Sequence, residues 1–318
     1  MENFLTLVLF LLGLLLILKG GDLLVESSIW FGLKTKIPSI VIGATIVAVA
    51  TTFPETTVSA IASFDGNTDL AVNTAIGAMI SNFTLVLGIS FLIYPCAIKT
   101  DGFSSKSKFF IATLLLLLLL SVDGKLSIID SIILLVTFAL FIFFNIFEAK
   151  KFKQNLEFSN EEQTPSWLYI IIQFVLSAFA IGFGAKVMVN NVLKISQMLN
   201  INEQFLGMTV IAIGTNLPEL VTSISSIKMR NPEIGIGNIF GASIINCTML
   251  LSLVSVCSPQ KILSISLGSL IFSIITLLFI TATIAIPIKN KNKSSRLQGG
   301  ILIATYILYS VIMLFLLK

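Results

Sequence analysis

Histidine does not occur once in the 318 residues, and that absence removes a catalytic triad, a histidine metal centre and an imidazole proton relay together. Cysteine is nearly as scarce. Cys96, Cys247 and Cys257 show no paired metal spacing and fall in or beside apolar runs, so they read as small core residues. Charge is thin as well: Asp, Glu, Lys and Arg make up 11% of the chain against 56% hydrophobic residues, and mean hydropathy is +1.00. These values exclude an ordinary soluble domain and point to a polytopic membrane protein. Any acid–base or ion chemistry has to rest on carboxylates.

What is present is a series of long apolar runs. Windows long enough to cross about 30 Å of hydrocarbon predict ten helices, near 3–20, 38–63, 70–95, 108–122, 126–147, 166–187, 203–227, 234–257, 262–286 and 298–317. Helices are expected because lipid leaves backbone groups no other partner. The first run begins with Glu2, has no basic flank and meets Lys19-Gly20-Gly21 without a small-residue cleavage site, so it reads as a span rather than a signal peptide. Assigning Lys and Arg to alternate sides puts fourteen on one side, from Lys34 and Lys36 through Lys99, Lys106, Lys108, Lys150, Lys151 and Lys153 to Lys228, Arg230 and the 289–296 cluster. That side is expected to be cytoplasmic, with both termini outside. The basic residues thus read as topology determinants, and no nucleic-acid partner is expected.

Shifting the chain against itself by 164 residues brings VAVATTFPETTVS at 47–59 onto IAIGTNLPELVTS at 211–223. Gly43, Thr45, Ala48, Thr51, Pro54, Glu55 and Ser59 fall on Gly207, Thr209, Ala212, Thr215, Pro218, Glu219 and Ser223. In the next span Gly77, Ala78, Ile80, Asn82, Thr84 and Leu87 fall on Gly241, Ala242, Ile244, Asn246, Thr248 and Leu251. Five spans per copy reverse the second copy's direction. The expected fold is therefore an all-α polytopic membrane protein of ten transmembrane helices in two inverted five-helix repeats, 1–147 and 166–318, joined by a cytoplasmic linker at 148–165. Secondary transporters place an ion or substrate site where such repeats meet.

Glu55 and Glu219 lie too deep in their spans to reach an interface. A charge at such depth costs about 2.5–3.5 kcal/mol on insertion scales, a cost that protonation or a bound cation reduces. Pro54 and Pro218 each remove a helix donor and free carbonyls near Ala50/Thr51 and Gly214/Thr215. Ala48, Thr51, Thr52, Glu55 and Ser59 share one helix face, as do Ala212, Thr215, Asn216, Glu219 and Ser223. Carboxylate, hydroxyl, amide and carbonyl oxygens together suit Ca²⁺ or Na⁺ rather than a soft metal.

On these residues the sequence resembles the cation/Ca²⁺ exchanger superfamily, particularly its microbial sodium/calcium exchangers. GTNLPEL and GNIFGASIIN are similar to the second α-repeat of that family, and ATTFPET with TAIGAMISN to the first. The resemblance implies that Glu55 and Glu219 share Ca²⁺ and Na⁺, that Thr51, Thr215, Ala48 and Ala212 offer backbone carbonyls, and that Thr52 and Asn216 stand where serine hydroxyls are usual. It implies a central polar pair at Asn82 and Asn246. Ala78 and Ala242 replace the serines that commonly follow the motif glycine, so two hydroxyls that help hold Na⁺ are missing. The implied activity is antiport by alternating access, most simply Na⁺/Ca²⁺ exchange, with H⁺-coupled divalent exchange as the alternative. The first and sixth spans, about Asn3–Leu33 and Trp167–Leu199, would slide past a fixed core. An intramembrane hydrolase built on two carboxyl groups is a remote second class, for which no aspartate-pair or serine motif is present. No cofactor and no obligatory protein partner are expected, only membrane lipid and inorganic cations.

Overall fold

A computed structural model describes residues 2–64, 66, 68–98, 102–151, 165–198 and 216–316. Among them the chain forms ten helical rods. Helix α1 is Glu2–Thr35; α2 covers 39–64, with a π turn at Gly43–Val47; α3 covers 68–93, with a π turn at Asn82–Val86; α4 is Phe103–Leu120 and α5 Ile128–Lys151. After residues outside the description come α6, Trp167–Met198, and then α7, Leu217–Lys228. Helix α8 covers 232–257 with a π turn at Asn246–Leu250, α9 is Leu267–Lys291 and α10 Arg296–Leu316. Among the described residues eight rods are long and apolar enough to cross a membrane. Glu55 and Glu219 are carried by the remaining two, α2 and α7.

Helix α1 runs well past the end that hydropathy windows predict for it. Lys19, Gly20, Gly21 and Asp22 lower the window score but do not stop the helix, because both glycines are occupied in packing. A Cβ on Gly20 would lie 2.8 Å from Cγ1 of Ile181 on α6, and one on Gly21 only 2.2 Å from Cγ1 of Val221 on α7. Tertiary contact thus offsets the roughly 1 kcal/mol that glycine costs inside a helix. Nearer its start, α1 is locked to α6 by facing glycines, where a Cβ on either Gly13 or Gly184 would stand 2.8 Å from the other's carbonyl oxygen.

The centre of the protein is α8, 83% of whose apolar window is buried, followed by α3 at 72%; the other spans present most of their surface outward. Helix α2 lies parallel to α8 at backbone contact. A Cβ on Gly43 would meet the Ile234 carbonyl at 2.2 Å, one on Gly237 the Ile40 carbonyl at 2.3 Å, and one on Gly241 the Ala44 carbonyl at 2.4 Å. Small residues at helix contacts are what membrane packing selects, since no hydrophobic gain remains to be had from lipid. On the other side of α2, Ile46, Val49 and Phe53 are exposed, a lipid-facing stripe at helical spacing.

Two short pairings tie the loops. Lys125–Leu126, between α4 and α5, pairs antiparallel with Leu263–Ser264, between α8 and α9, in the register Lys125↔Ser264 and Leu126↔Leu263. Ala97, after α3, bridges Lys293, before α10.

Lys106 departs from its expected place among the solvated basic residues. It is fully buried, pairs with Glu148 and lies 5.4 Å from the Phe144 ring centroid. The pairing also explains why α5 continues to Lys151, taking Glu148 out of the expected linker and into the packed end of a helix.

Candidate functional site

The duplicated glutamates come together from opposite halves of the chain. Glu55 projects from the buried face of α2, whose Ala48, Thr51, Thr52, Thr56, Ser59 and Ser63 are all buried with it. Glu219 sits in the first turn of α7, which opens at the N-cap Asn216 with Pro218 among its first residues. A carboxylate there lies at the positive end of the helix dipole, the position that best tolerates negative charge. Proline is at home at such a start because its missing N–H has no intrahelical partner to lose.

Groups of the two halves reach across to each other. Asn246 Nδ2 donates to Glu55 Oε2 at 3.4 Å, and the Thr51 hydroxyl, which donates to Asn238 Oδ1 at 3.1 Å, lies near the Glu219 carboxylate. The two carboxylates lie within electrostatic range of each other, and neither meets a lysine or arginine: the ion pair among the described residues is Lys106–Glu148. The π turns cross in the same manner. The one that Asn82 opens packs on α7, and the one that Asn246 opens packs on α2. A π turn frees the backbone from its regular ladder and is frequent at functional sites.

Each predicted site residue can now be located. Glu55 is 8% exposed, Thr51 3%, Thr52 0%, Ala48 0%, Asn82 1%, Asn216 6%, Glu219 1% and Asn246 0%. Thr215 and Ala212 lie outside the described residues. Several of the buried oxygens have no hydrogen-bond partner: Glu55 Oε1, Glu219 Oε2, Thr52 Oγ1, Asn82 Oδ1 and Asn246 Oδ1. An unpaired buried acceptor costs about 1–3 kcal/mol, so this concentration in one place calls for a positively charged or proton-bearing occupant. Among the described residues no trio of His, Cys, Asp or Glu gathers as a resident metal cluster would. The donor set is instead two carboxylates with amide, hydroxyl and carbonyl oxygens, which is chemistry for a hard cation. Ala78 and Ala242 are buried and apolar, so they bring no side-chain oxygen to it.

Comparison with known proteins shows the family. The family model described as sodium/calcium exchanger protein matches residues 5–147 and 169–315. The chain belongs to the sodium/calcium exchanger family. Inner membrane protein YrbG of Escherichia coli is 32% identical over 272 residues, covering 80% of each chain. Sodium/calcium exchanger MaX1 of Methanosarcina acetivorans is 26% identical over 352 residues, covering 99% of each. Among solved structures, the sodium–calcium exchanger NCX_Mj superimposes with a TM-score of 0.82 at 27% identity, over 96% of this chain and 98% of that one. The exchanger is thus an all-helical membrane transporter, and the hydrolase alternative falls away, because its relatives move ions and are not enzymes.

Sequence reasoning did not single out Asn238 of α8, which is fully buried and whose Oδ1 lies 3.1 Å from the Thr51 hydroxyl. Its signal was a lone amide in the glycine-rich run GIGNIFG, masked because the position 164 earlier is Thr74. Ser90 was missed likewise: its hydroxyl donates to Ser223 at 3.0 Å, one turn past Glu219.

Proposed function

We propose that this exchanger carries Na⁺ and Ca²⁺ in opposite directions through one site shared between Glu55 and Glu219, by alternating access. The observation that carries the reading is the convergence of two buried carboxylates that pair with no lysine or arginine among the described residues and whose surrounding oxygens lack partners. Two negative charges neutralise one Ca²⁺ or two Na⁺. A loaded site can then pass through the low-dielectric centre, while an emptied pair of carboxylates is held back by its own desolvation cost and mutual repulsion. Exchange follows because the ions compete for the same oxygens. In this reading Glu55, Glu219, Asn82 and Asn246 contribute side chains, Thr52 and Asn216 stand in the serine positions, and Ala48, Ala212, Thr51 and Thr215 contribute carbonyls.

The same reading takes the chain as ten spans in two inverted repeats, 1–147 and 166–318, around a cytoplasmic linker, with both termini outside a prokaryotic plasma membrane. The two blocks matched by the family model support the division. The sidedness is supported by the hydrogen bond from Ser39 to Asn231 at 3.5 Å, which joins the basic turn after α1 to the basic turn after α7. Helices α1 and α6 form the moving pair: their glycines hold them to each other, and they touch the remainder chiefly through α7. The protein needs lipid and cations and no further partner.

The test is uptake of ⁴⁵Ca²⁺ into proteoliposomes loaded with Na⁺, compared with a pH gradient in the absence of Na⁺. Uptake is expected to follow the Na⁺ gradient and to be abolished by Glu55→Gln and by Glu219→Gln. Uptake insensitive to both substitutions refutes the site, and uptake following only the pH gradient replaces sodium coupling with proton coupling.

A further inference from the structure

Four basic residues, Lys289, Lys291, Lys293 and Arg296, and no acidic one stand in the stretch 289–296 that ends α9 and begins α10. Such charge beside a span ordinarily sets topology and nothing more. Here it borders an open groove of about 520 Å³ between the two helices. Phe279 and Ile286 of α9 and Leu297 and Ile301 of α10 wall the groove, and Lys293 and Ser295 line its turn end. The wall is turned outward, with Phe279, Ile286 and Leu297 each more than half exposed. No acidic side chain is among the lining residues. The turn between α4 and α5 differs, since there Asp123 stands beside Lys125 and leaves no excess of positive charge.

The groove is held in shape by bonds of its own. Pro287, inside α9, has no N–H and leaves the Thr283 carbonyl without its helical donor. Gln298 of α10 takes that place, donating from Nε2 at 3.3 Å. Gln298 is fixed in turn by Ser295, the residue before α10: its N–H donates to Ser295 Oγ at 3.3 Å, and that hydroxyl donates to Gln298 Oε1 at 3.1 Å. The turn is also tied from behind. Ser294 N–H donates to the Cys96 carbonyl at 2.9 Å and Ile98 N–H to the Asn292 carbonyl at 2.8 Å, with Asn292 in the left-handed region at φ 52°. These polar groups are engaged within the protein. What the groove offers an occupant is an apolar wall and a cationic end, where Lys293 and Arg296 are both exposed.

We propose that this groove binds an anionic phospholipid, with one acyl chain against Phe279, Ile286 and Ile301 and the phosphate beside Lys293 and Arg296. Its volume lies in the ordinary range for a small-molecule site. A free anion would answer only the cationic end, and a neutral lipid only the wall. A lipid with a negative headgroup answers both. Basic pockets between spans on the cytoplasmic face take such headgroups, and the anionic lipids of that leaflet are drawn to clusters of lysine and arginine beside a span. The choice of leaflet follows from the sidedness proposed above, whereas the groove and its charge are independent of the cation site.

Tail-brominated phosphatidylglycerol, mixed as a minor fraction into phosphatidylcholine vesicles, quenches a tryptophan that its chain touches. The full-length exchanger is reconstituted with Ile286→Trp as reporter and with Trp30→Phe and Trp167→Phe to silence its own two tryptophans. Phe279→Trp is a second reporter for the case in which the first does not fold. Tail-brominated phosphatidylcholine at the same fraction is the neutral reference. Phosphatidylglycerol is expected to be preferred about twenty-five-fold, roughly fivefold for each of the two basic side chains. Lys293→Gln combined with Arg296→Gln is expected to bring the two lipids level. Lys150→Gln combined with Lys228→Gln removes exposed basic residues of the same side outside the groove and should keep the preference. Inorganic phosphate, set against chloride at equal ionic strength, should leave it unchanged. Equal quenching by the two lipids overturns the proposal, as does a preference that survives the loss of Lys293 and Arg296. A preference that falls as far without Lys150 and Lys228 is diffuse surface attraction and overturns it too. Displacement by inorganic phosphate marks a free-anion site in place of a lipid site.

Discussion

Gly77 and Gly241 occupy equivalent places in the two copies of the motif, yet their surroundings differ completely, and adding one methyl group to each makes a paired experiment. A Cβ at Gly77 meets nothing within 4 Å, whereas at Gly241 it would stand 2.4 Å from the Ala44 carbonyl oxygen and 2.7 Å from the Ala44 Cα. Ordinary contact begins at about 3.5 Å, so Gly241→Ala must drive α2 and α8 apart by roughly 1 Å. Both obstructing atoms are backbone and cannot rotate aside. The hydrogen bond from Asn246 to Glu55 is already 3.4 Å long, and a further ångström removes it. Overpacking costs about 1–3 kcal/mol, against which alanine regains about 1 kcal/mol of helix propensity. Loss of the bond to a carboxylate adds about 1.5–3 kcal/mol to binding, tenfold or more in affinity. Gly77→Ala has only the propensity gain and should stabilise by about 0.5–1 kcal/mol. Thermal unfolding in detergent and ⁴⁵Ca²⁺ binding measure both quantities on the same samples. If the two variants behave alike, or if Gly241→Ala binds as wild type, the close contact of α2 and α8 does not position the site.

Lys106→Met leaves Glu148 as an unpaired buried charge and should destabilise the protein by about 3–5 kcal/mol, whereas Lys106→Met combined with Glu148→Leu should recover most of that loss; thermal unfolding decides, and a double variant as weak as the single one would contradict the reading. Gly184→Val places a branched side chain where a Cβ already lies 2.8 Å from the Gly13 carbonyl and 2.9 Å from Leu16 Cβ. It should slow Ca²⁺ flux by at least about tenfold, the rate equivalent of about 1.4 kcal/mol, while equilibrium binding stays near wild type. Ser225→Ala removes the 2.6 Å hydrogen bond from Ser225 to Asp22 that joins α7 to α1. With the moving pair less tightly held, initial flux should change while binding does not, and a matched loss of both would place Ser225 in the site instead.

The glutamates and their asparagines were legible because each occurs twice at one offset in helices otherwise made for lipid, where a charge or amide without a purpose is costly. The lipid-facing rods were legible for the opposite reason, since length and hydropathy alone define them. Three features left no such trace. The π turns shift hydrogen bonds by one residue and ask for no particular composition. The reach of α1 past Gly20 and Gly21, which the family resemblance implied but hydropathy did not show, depends on Ile181 and Val221, far away in sequence. Lys106 and Glu148 are 42 positions apart and look like ordinary membrane-flank charges until the helices bring them together. Asn238 is the instructive miss: reading the duplication for what the copies share concealed a buried amide that accepts from Thr51 and has threonine, Thr74, at the matching place.

The matched π turns at Asn82–Val86 and Asn246–Leu250 also say something about how this chain can change over generations. Each accommodates one residue more than a regular helix would, so loss of one residue there would close the turn into an ordinary helix. The contacts beyond it, Ser90 with Ser223 and Ser252 and Val254 with their partners on α5 and α2, would stay in register. What such a deletion changes is the widened turn itself, which carries Asn82 in one helix and Asn246 in the other. Length through these two stretches should therefore be inherited for the sake of the site, in a chain that could fold without the extra residue.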